Sequence, residues 1–223
     1  SGVGGLTVMR QIRRLLPEEG LVYLGDTARA PYGTKSPETV IRYARHCAEM
    51  LTRRGIKLLV VACNTASAYA LDALRSSLRV PVIGVVEPGA RAALRATRSG
   101  RIGVIGTPGT VRSGAYERVI HEVKPRFRVF LQACPLFVPL AEEGWIRGKV
   151  PALIAEQYLE RLKQRHVDTL VLGCTHYPLL RPVIAAIMGP EVTLVDSAQE
   201  TARETQRVLV DWELARPVGT PGK

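Results

Sequence analysis

Seven short apolar runs, rich in Val, Ile and Leu, alternate along this chain with longer segments in which apolar residues recur at helical spacing. Few architectures accommodate that rhythm. It predicts parallel strands joined by helices that cover the faces of the sheet. Strands are expected near 21–25, 57–62, 81–86, 101–105, 127–132, 168–173 and 191–195. Helices are expected near 6–16, 37–54, 65–77, 87–97, 109–122, 150–165, 178–188 and 198–214. One helix start is explicit: Ser36 can cap it, Pro37 suits the first turn, and Glu38 complements the helix dipole.

Two of these units look like copies. LVVACNT (59–65) and LVLGCTH (170–176) are each an apolar strand ending in a cysteine followed by hydrogen-bonding residues, and each is trailed by another apolar run, PVIGVV (81–86) and VTLVDS (192–197). The expected fold is therefore α/β, with two pseudo-equivalent domains, each a parallel sheet flanked by helices, and the active-site cleft between them. The division is placed at residues 1–89 plus 198–223 for the first domain and 90–197 for the second. Facing copies would put Cys63 and Cys174 on opposite walls of that cleft.

The longest apolar runs, such as Leu58 to Cys63, fall far short of the roughly 18 residues that span a bilayer. No secretory signal opens the sequence. Four cysteines without CxxC spacing suit a reducing cytoplasm and free thiols better than disulfides or a zinc site. The formal charge of +11 invites a nucleic-acid partner. Its distribution disfavours one, since Arg10, Arg13, Arg14, Arg42, Arg45, Arg53 and Arg54 are scattered over helix faces and not interleaved with aromatics. The ends are unusual. SGVGGLTV is a Gly-rich turn without the strand that should feed it, and ARPVGTPGK supplies no closing element, so a fragment is expected.

At Cys63 a strand turns into a helix, with Asn64 and Thr65 placed to cap it, and such a position lowers a thiol pKa from roughly 8.5. Cys174 is expected to share that setting, with Thr175 and His176 beside it. Cys47 and Cys134 are assigned to packing. Two opposed acid/base thiols suit one kind of reaction above others, in which a proton leaves one face of a carbon and another arrives at the opposite face. His176 could assist Cys174 by hydrogen bonding or by carrying a proton.

The blocks SGVGGLTV, GDTARAPYGTKS, ACNTAS, PVIGVVEPG, GVIGTPGTVRSGAY, CPLFVPLAEEG, LGCTHYPLL and LVDSAQETA together resemble glutamate racemase, of the cofactor-independent aspartate/glutamate racemase superfamily. The resemblance runs from Ser1 to about Arg203. It implies interconversion of L- and D-glutamate without pyridoxal phosphate or metal, supplying D-glutamate for peptidoglycan. By resemblance, Cys63 exchanges the α-proton with the D-enantiomer and Cys174 with the L-enantiomer. Substrate contacts carry over to Ser1, Tyr32, Gly33, Asn64, Thr65, Thr175 and His176, and PLAEEG suggests Glu143 as an auxiliary acid in preference to Glu142. Homodimers are the family expectation. The family's opening strand ends in Asp-Ser-Gly, whereas Ser1 is the first residue here, so the partner acid of the first cysteine is expected to be absent. The alternatives are an aspartate or related racemase, or a truncated inactive chain with a non-catalytic role of the DNA gyrase-binding type.

Overall fold

The structure, a computed structural model, describes residues 2–217 and 219. In chain order it forms α1 (Leu6–Leu15), α2 (Pro37–Thr52), β1 (Leu59–Val61), α3 (Asn64–Ser77), β2 (Val82–Gly84) and α4 (Val86–Ala96). There follow β3 (Arg101–Gly106), α5 (Pro108–Ser113), α6 (Ala115–Val123), β4 (Arg128–Ala133), α7 (Phe137–Glu142) and α8 (Lys149–Gln164). The chain continues through β5 (Thr169–Gly173), α9 (Arg181–Met188), β6 (Thr193–Asp196) and α10 (Ser197–Asp211).

The strands make two separate parallel sheets, β1–β2 and β4–β3–β5–β6. In the larger sheet Gly106 at the end of β3 is in register with Gly173 at the end of β5. Both faces of that sheet are covered. On one, Leu170 and Leu172 meet Leu159 of α8, Phe137 of α7 and Tyr177. On the other, Ile102, Val104 and Val171 meet Ala90 and Ala93 of α4 and Tyr116 and Ile120 of α6. Burying each such aliphatic side chain is worth about 1.5–3 kcal/mol, which is why the strands read as near-continuous apolar runs. The smaller sheet is covered by α2 and α3 through Ala44, Ala48, Leu71 and Leu74. The last helix turns back, and its Ala198 and Ala202 join Val8 and Ile12 of α1.

Ser36 caps α2 as expected, its Oγ accepting from the Thr39 N–H at 3.3 Å with Pro37 in the first turn. Three expectations need correction, and one helix is an addition. Residues 21–25 form no strand, because 21–24 find no backbone partner among the described residues. They border instead a cavity of about 510 Å3 lined by Val8, Ile12, Leu21, Val60 and Leu209. The helix expected over 109–122 is broken into α5 and α6 by Gly114, which takes φ +63°. Helix α7 was not anticipated. The helix expected from 178 starts as a 3-10 turn at Tyr177–Leu180, with Pro178 inside it, and becomes α9 only at Arg181.

Asp168 anchors the start of β5. Its carboxylate accepts from the Thr97 hydroxyl at 2.6 Å and from the backbone N–H groups of Arg98 and Ser99 at 2.8 and 2.6 Å. Burial alone would raise its pKa, but those donors outweigh it and hold the carboxyl at about 2. The folded pKa lies below the unfolded value, so this stabilisation is complete above about pH 4 and disappears as pH falls through the folded value. Asp168→Asn is expected to lower Tm by a few degrees at pH 7 and to flatten the stability loss between about pH 4 and 2, as read by thermal denaturation across pH. An unchanged profile would mean that the loop before β3 does not depend on this carboxylate.

Candidate active site

The ends of β1, β3 and β5 converge. In parallel sheets the carboxyl ends of strands open onto the crevice where ligands bind, and here two sheets turn those ends toward one another. Gly2, Tyr32, Gly33, Cys63, Asn64 and Thr65 line one side of the resulting cleft, and Thr107, Val138, Glu142, Cys174, Thr175 and His176 line the other. Both thiols therefore border a single pocket. Its open volume is about 30 Å3, room for about one water rather than a larger polar solute. The 510 Å3 cavity also reaches Cys63, but its walls are mostly aliphatic and it does not touch Cys174. The smaller cleft carries the polar groups.

The two cysteines are not equivalent. Cys63 is half-buried at the head of α3, with φ −152°, and its sulfur does not cap the helix. Cys174 is buried and is followed by a 3-10 turn of four residues instead of a long helix. Burial pushes the Cys174 thiol up to about 12, against the opposing pull of N–H groups from His176 and Tyr177, and negative charge on Cys63 pushes the same way as burial. The expected lowering of this thiol pKa is thus reversed at Cys174, because removal from water outweighs so short a helical turn.

His176 Nδ1 lies 3.7 Å from Cys174 Sγ, and its Nε2 is 3.2 Å from Glu142 Oε1. Burial lowers the His176 pKa while Glu142 raises it, and the net shift is downward, favouring the neutral ring. The Glu142 approach lacks hydrogen-bond alignment, leaving Nε2 without a bonded partner among the described residues. Glu142, at the end of α7, is the acid in the cleft. Both acids are exposed, but Glu142 lines the cleft and the expected Glu143 does not, since one residue along a helix turns a side chain by about 100°.

Asn64 and Thr65 do not cap α3. Asn64 Oδ1 accepts from the Tyr116 hydroxyl at 2.7 Å, while Thr65 Oγ1 meets Thr107 Oγ1 at 2.8 Å and Thr110 Oγ1 at 3.2 Å. Thr107 and Thr110 were not singled out from the sequence, although the T-P-G-T pattern after an apolar run is a legible helix cap at a strand end, and Thr107 does cap α5. Tyr32 is buried in the cleft wall, but its hydroxyl is given to Asp26, which also holds Arg29 at 2.9 Å. What Tyr32 offers the cleft is its ring and backbone. Cys47 approaches the same cluster, 3.8 Å from Asp26 Oδ2, so it is more than packing, whereas Cys134 is fully buried in the core.

Two glycines allow the walls to meet. A Cβ on Gly33 would come within 2.4 Å of the Thr107 side chain, and one on Gly4 within 2.6 Å of both Thr175 and His176. The Gly-rich turn at the start of the chain is thereby pressed against the second cysteine's loop. Ser1 lies outside the described residues. Among the described residues no group of three His, Cys, Asp or Glu side chains is arranged to hold a metal ion, and no helix is long and apolar enough to cross a membrane.

Residues 4–205 match the Asp/Glu/Hydantoin racemase family. A glutamate racemase of Geobacter metallireducens is 60% identical over 222 residues, covering 100% of this chain and 82% of the relative. The crystal structure of glutamate racemase isoform RacE1 from Bacillus anthracis superposes with a TM-score of 0.93 at 42% identity, covering 100% of this chain and 84% of that one. That of Francisella tularensis glutamate racemase in complex with D-glutamate gives 0.93 at 36%, covering 100% and 83%. With two thiols bordering one pocket and relatives of this similarity along its whole length, the chain belongs to the Asp/Glu racemase family, among the glutamate racemases.

Proposed function

We propose that this chain interconverts L- and D-glutamate by passing the α-proton between Cys63 and Cys174, without a cofactor. The observation that carries the reading is the single pocket bordered by both sulfurs and by the amide and hydroxyls of Asn64, Thr65, Thr107 and Thr175. The relatives named as glutamate racemases, one of them solved with D-glutamate, support the choice of substrate.

In the direction from D to L, the Cys63 thiolate removes the α-hydrogen and forms an S–H bond. The electron pair of the broken C–H bond moves into the α-carboxylate as an enediolate. The Cys174 thiol then returns its own proton to the opposite face and is left as thiolate. Burial keeps Cys174 protonated at rest, so it is a ready donor in this direction. The L-enantiomer is served by the form with the proton on the other sulfur. Amide and hydroxyl donors in a dry cleft hold the carboxylate most strongly when charge accumulates on it, which is where a weak carbon acid needs help. Neutral His176, between Cys174 and Glu142, can pass a proton or orient the thiol. Glutamate does not fit the cleft at about 30 Å3, so its entry requires the walls to part, and closure then excludes water. The D-glutamate formed would serve peptidoglycan.

Cys63→Ser and Cys174→Ser are each expected to lower the racemisation rate by at least about a hundredfold, followed as loss of the circular dichroism of L- or D-glutamate. Retention of full activity by either variant would remove its sulfur from the reaction. The adjacent acids separate equally well. Glu142→Gln is expected to lower kcat by about tenfold or more, whereas Glu143→Gln stays within about twofold of the parent in the same assay. The opposite order would return the role to Glu143.

A further inference from the structure

The cleft side chain Asn64 is hydrogen-bonded to a residue of the other sheet's helices. Tyr116 of α6 is fully buried, with its hydroxyl donating to Asn64 Oδ1 at 2.7 Å. Its ring lies beside Gly173, the residue before Cys174, where a Cβ would meet the ring at 3.2 Å. Its hydroxyl lies over Gly89 of α4, where a Cβ would come to 2.9 Å of the oxygen. Tyr116 thus touches the residue that follows one cysteine and the residue that precedes the other.

Asn64 is itself buried, and its Nδ2 has no hydrogen-bond partner among the described residues. A buried amide donor left unpartnered is costly unless a ligand completes it. An asparagine amide can present either end to a ligand, oxygen or nitrogen, by a half-turn about its last bond. We propose that Tyr116 is a positioning residue that fixes this choice: by donating its one proton to Oδ1, the phenol turns Nδ2 toward the cleft as a donor for a substrate carboxylate. The reverse orientation would leave the buried phenol proton without that acceptor and face the carboxylate with Oδ1. Burial also keeps the phenol protonated, its pKa held above the ordinary range, so the donor is permanent.

This assignment rests on the reading of the cleft as a glutamate site, and the test separates the two. Tyr116→Phe keeps the ring that packs on Gly173 and removes only the hydroxyl. It is expected to lower kcat/KM for both enantiomers by about tenfold, as loss of a lock on a carboxylate donor should. Asn64→Ala is expected to lower it by more. The double variant is expected to be no worse than Asn64→Ala alone, because Tyr116 acts through Asn64. Gly89→Ala, which crowds the hydroxyl while keeping the tyrosine, should give the same non-additive pattern and serves if Tyr116→Phe fails to fold. Losses that multiply in the double variant, or an unchanged kcat/KM in Tyr116→Phe, would overturn the assignment. Failure of the parent chain to racemise glutamate would instead overturn the reading of the site.

Discussion

Among the described residues the two sheets share no ladder hydrogen bond, and side chains meet between them across a buried polar seam. The seam is built of Thr65 against Thr107 and Thr110, Tyr69 donating to the Gly109 carbonyl at 2.8 Å, and Tyr116 donating to Asn64. Hydrogen bonds of this kind, withdrawn from water, are stiff when satisfied and costly when broken. Of these groups, Thr107 directly follows β3, and Asn64 and Thr65 directly follow Cys63, so the seam is tied to the position of the first sulfur. Gly4 and Gly33 complete the closure by letting backbone lie against Thr175, His176 and Thr107, where no larger residue fits.

Given that frame, the difference between the two sulfurs has a physical origin. Cys63 stands half-buried where the cleft meets the apolar cavity, whereas Cys174 is enclosed by the core of the four-stranded sheet and beside a neutral histidine. One cysteine motif occurs twice in the sequence, but its two copies are followed by different backbone, a 14-residue helix in one case and a four-residue 3-10 turn in the other. The chemistry of exchange requires only that one sulfur be protonated while the other is not. Burial pushes the Cys174 thiol up, so that sulfur holds its proton at rest.

Much of this was readable from the residues. The alternation of apolar runs and helical segments, the doubled cysteine motif and the Ser36 cap all depend on local pattern, and the structure follows them closely. What escaped depends on partners distant in sequence. Residues 21–25 carry a strand-like composition, but a strand exists only with a neighbour to bond, and among the described residues none is paired with them. Glu142 and Glu143 are chemically identical, and only the end of α7 decides which one faces His176. Asn64 and Thr65 read as caps because their side chains suit that role, yet stronger partners wait in the opposite wall. Asp26, hidden in a polar loop, is legible as important only once the Tyr32 hydroxyl is seen to point at it.

The central claim is that two different groups, one on each face of the α-carbon, handle the proton. Its most direct test is racemisation in deuterium oxide, stopped at low conversion, with the α-position of remaining substrate and new product read by NMR or mass spectrometry. Starting from either enantiomer, the product is predicted to carry deuterium at the α-carbon while unreacted substrate stays protiated. Deuterium entering the recovered substrate as fast as the product would mean that a single group serves both faces, and the opposed thiols would lose their role.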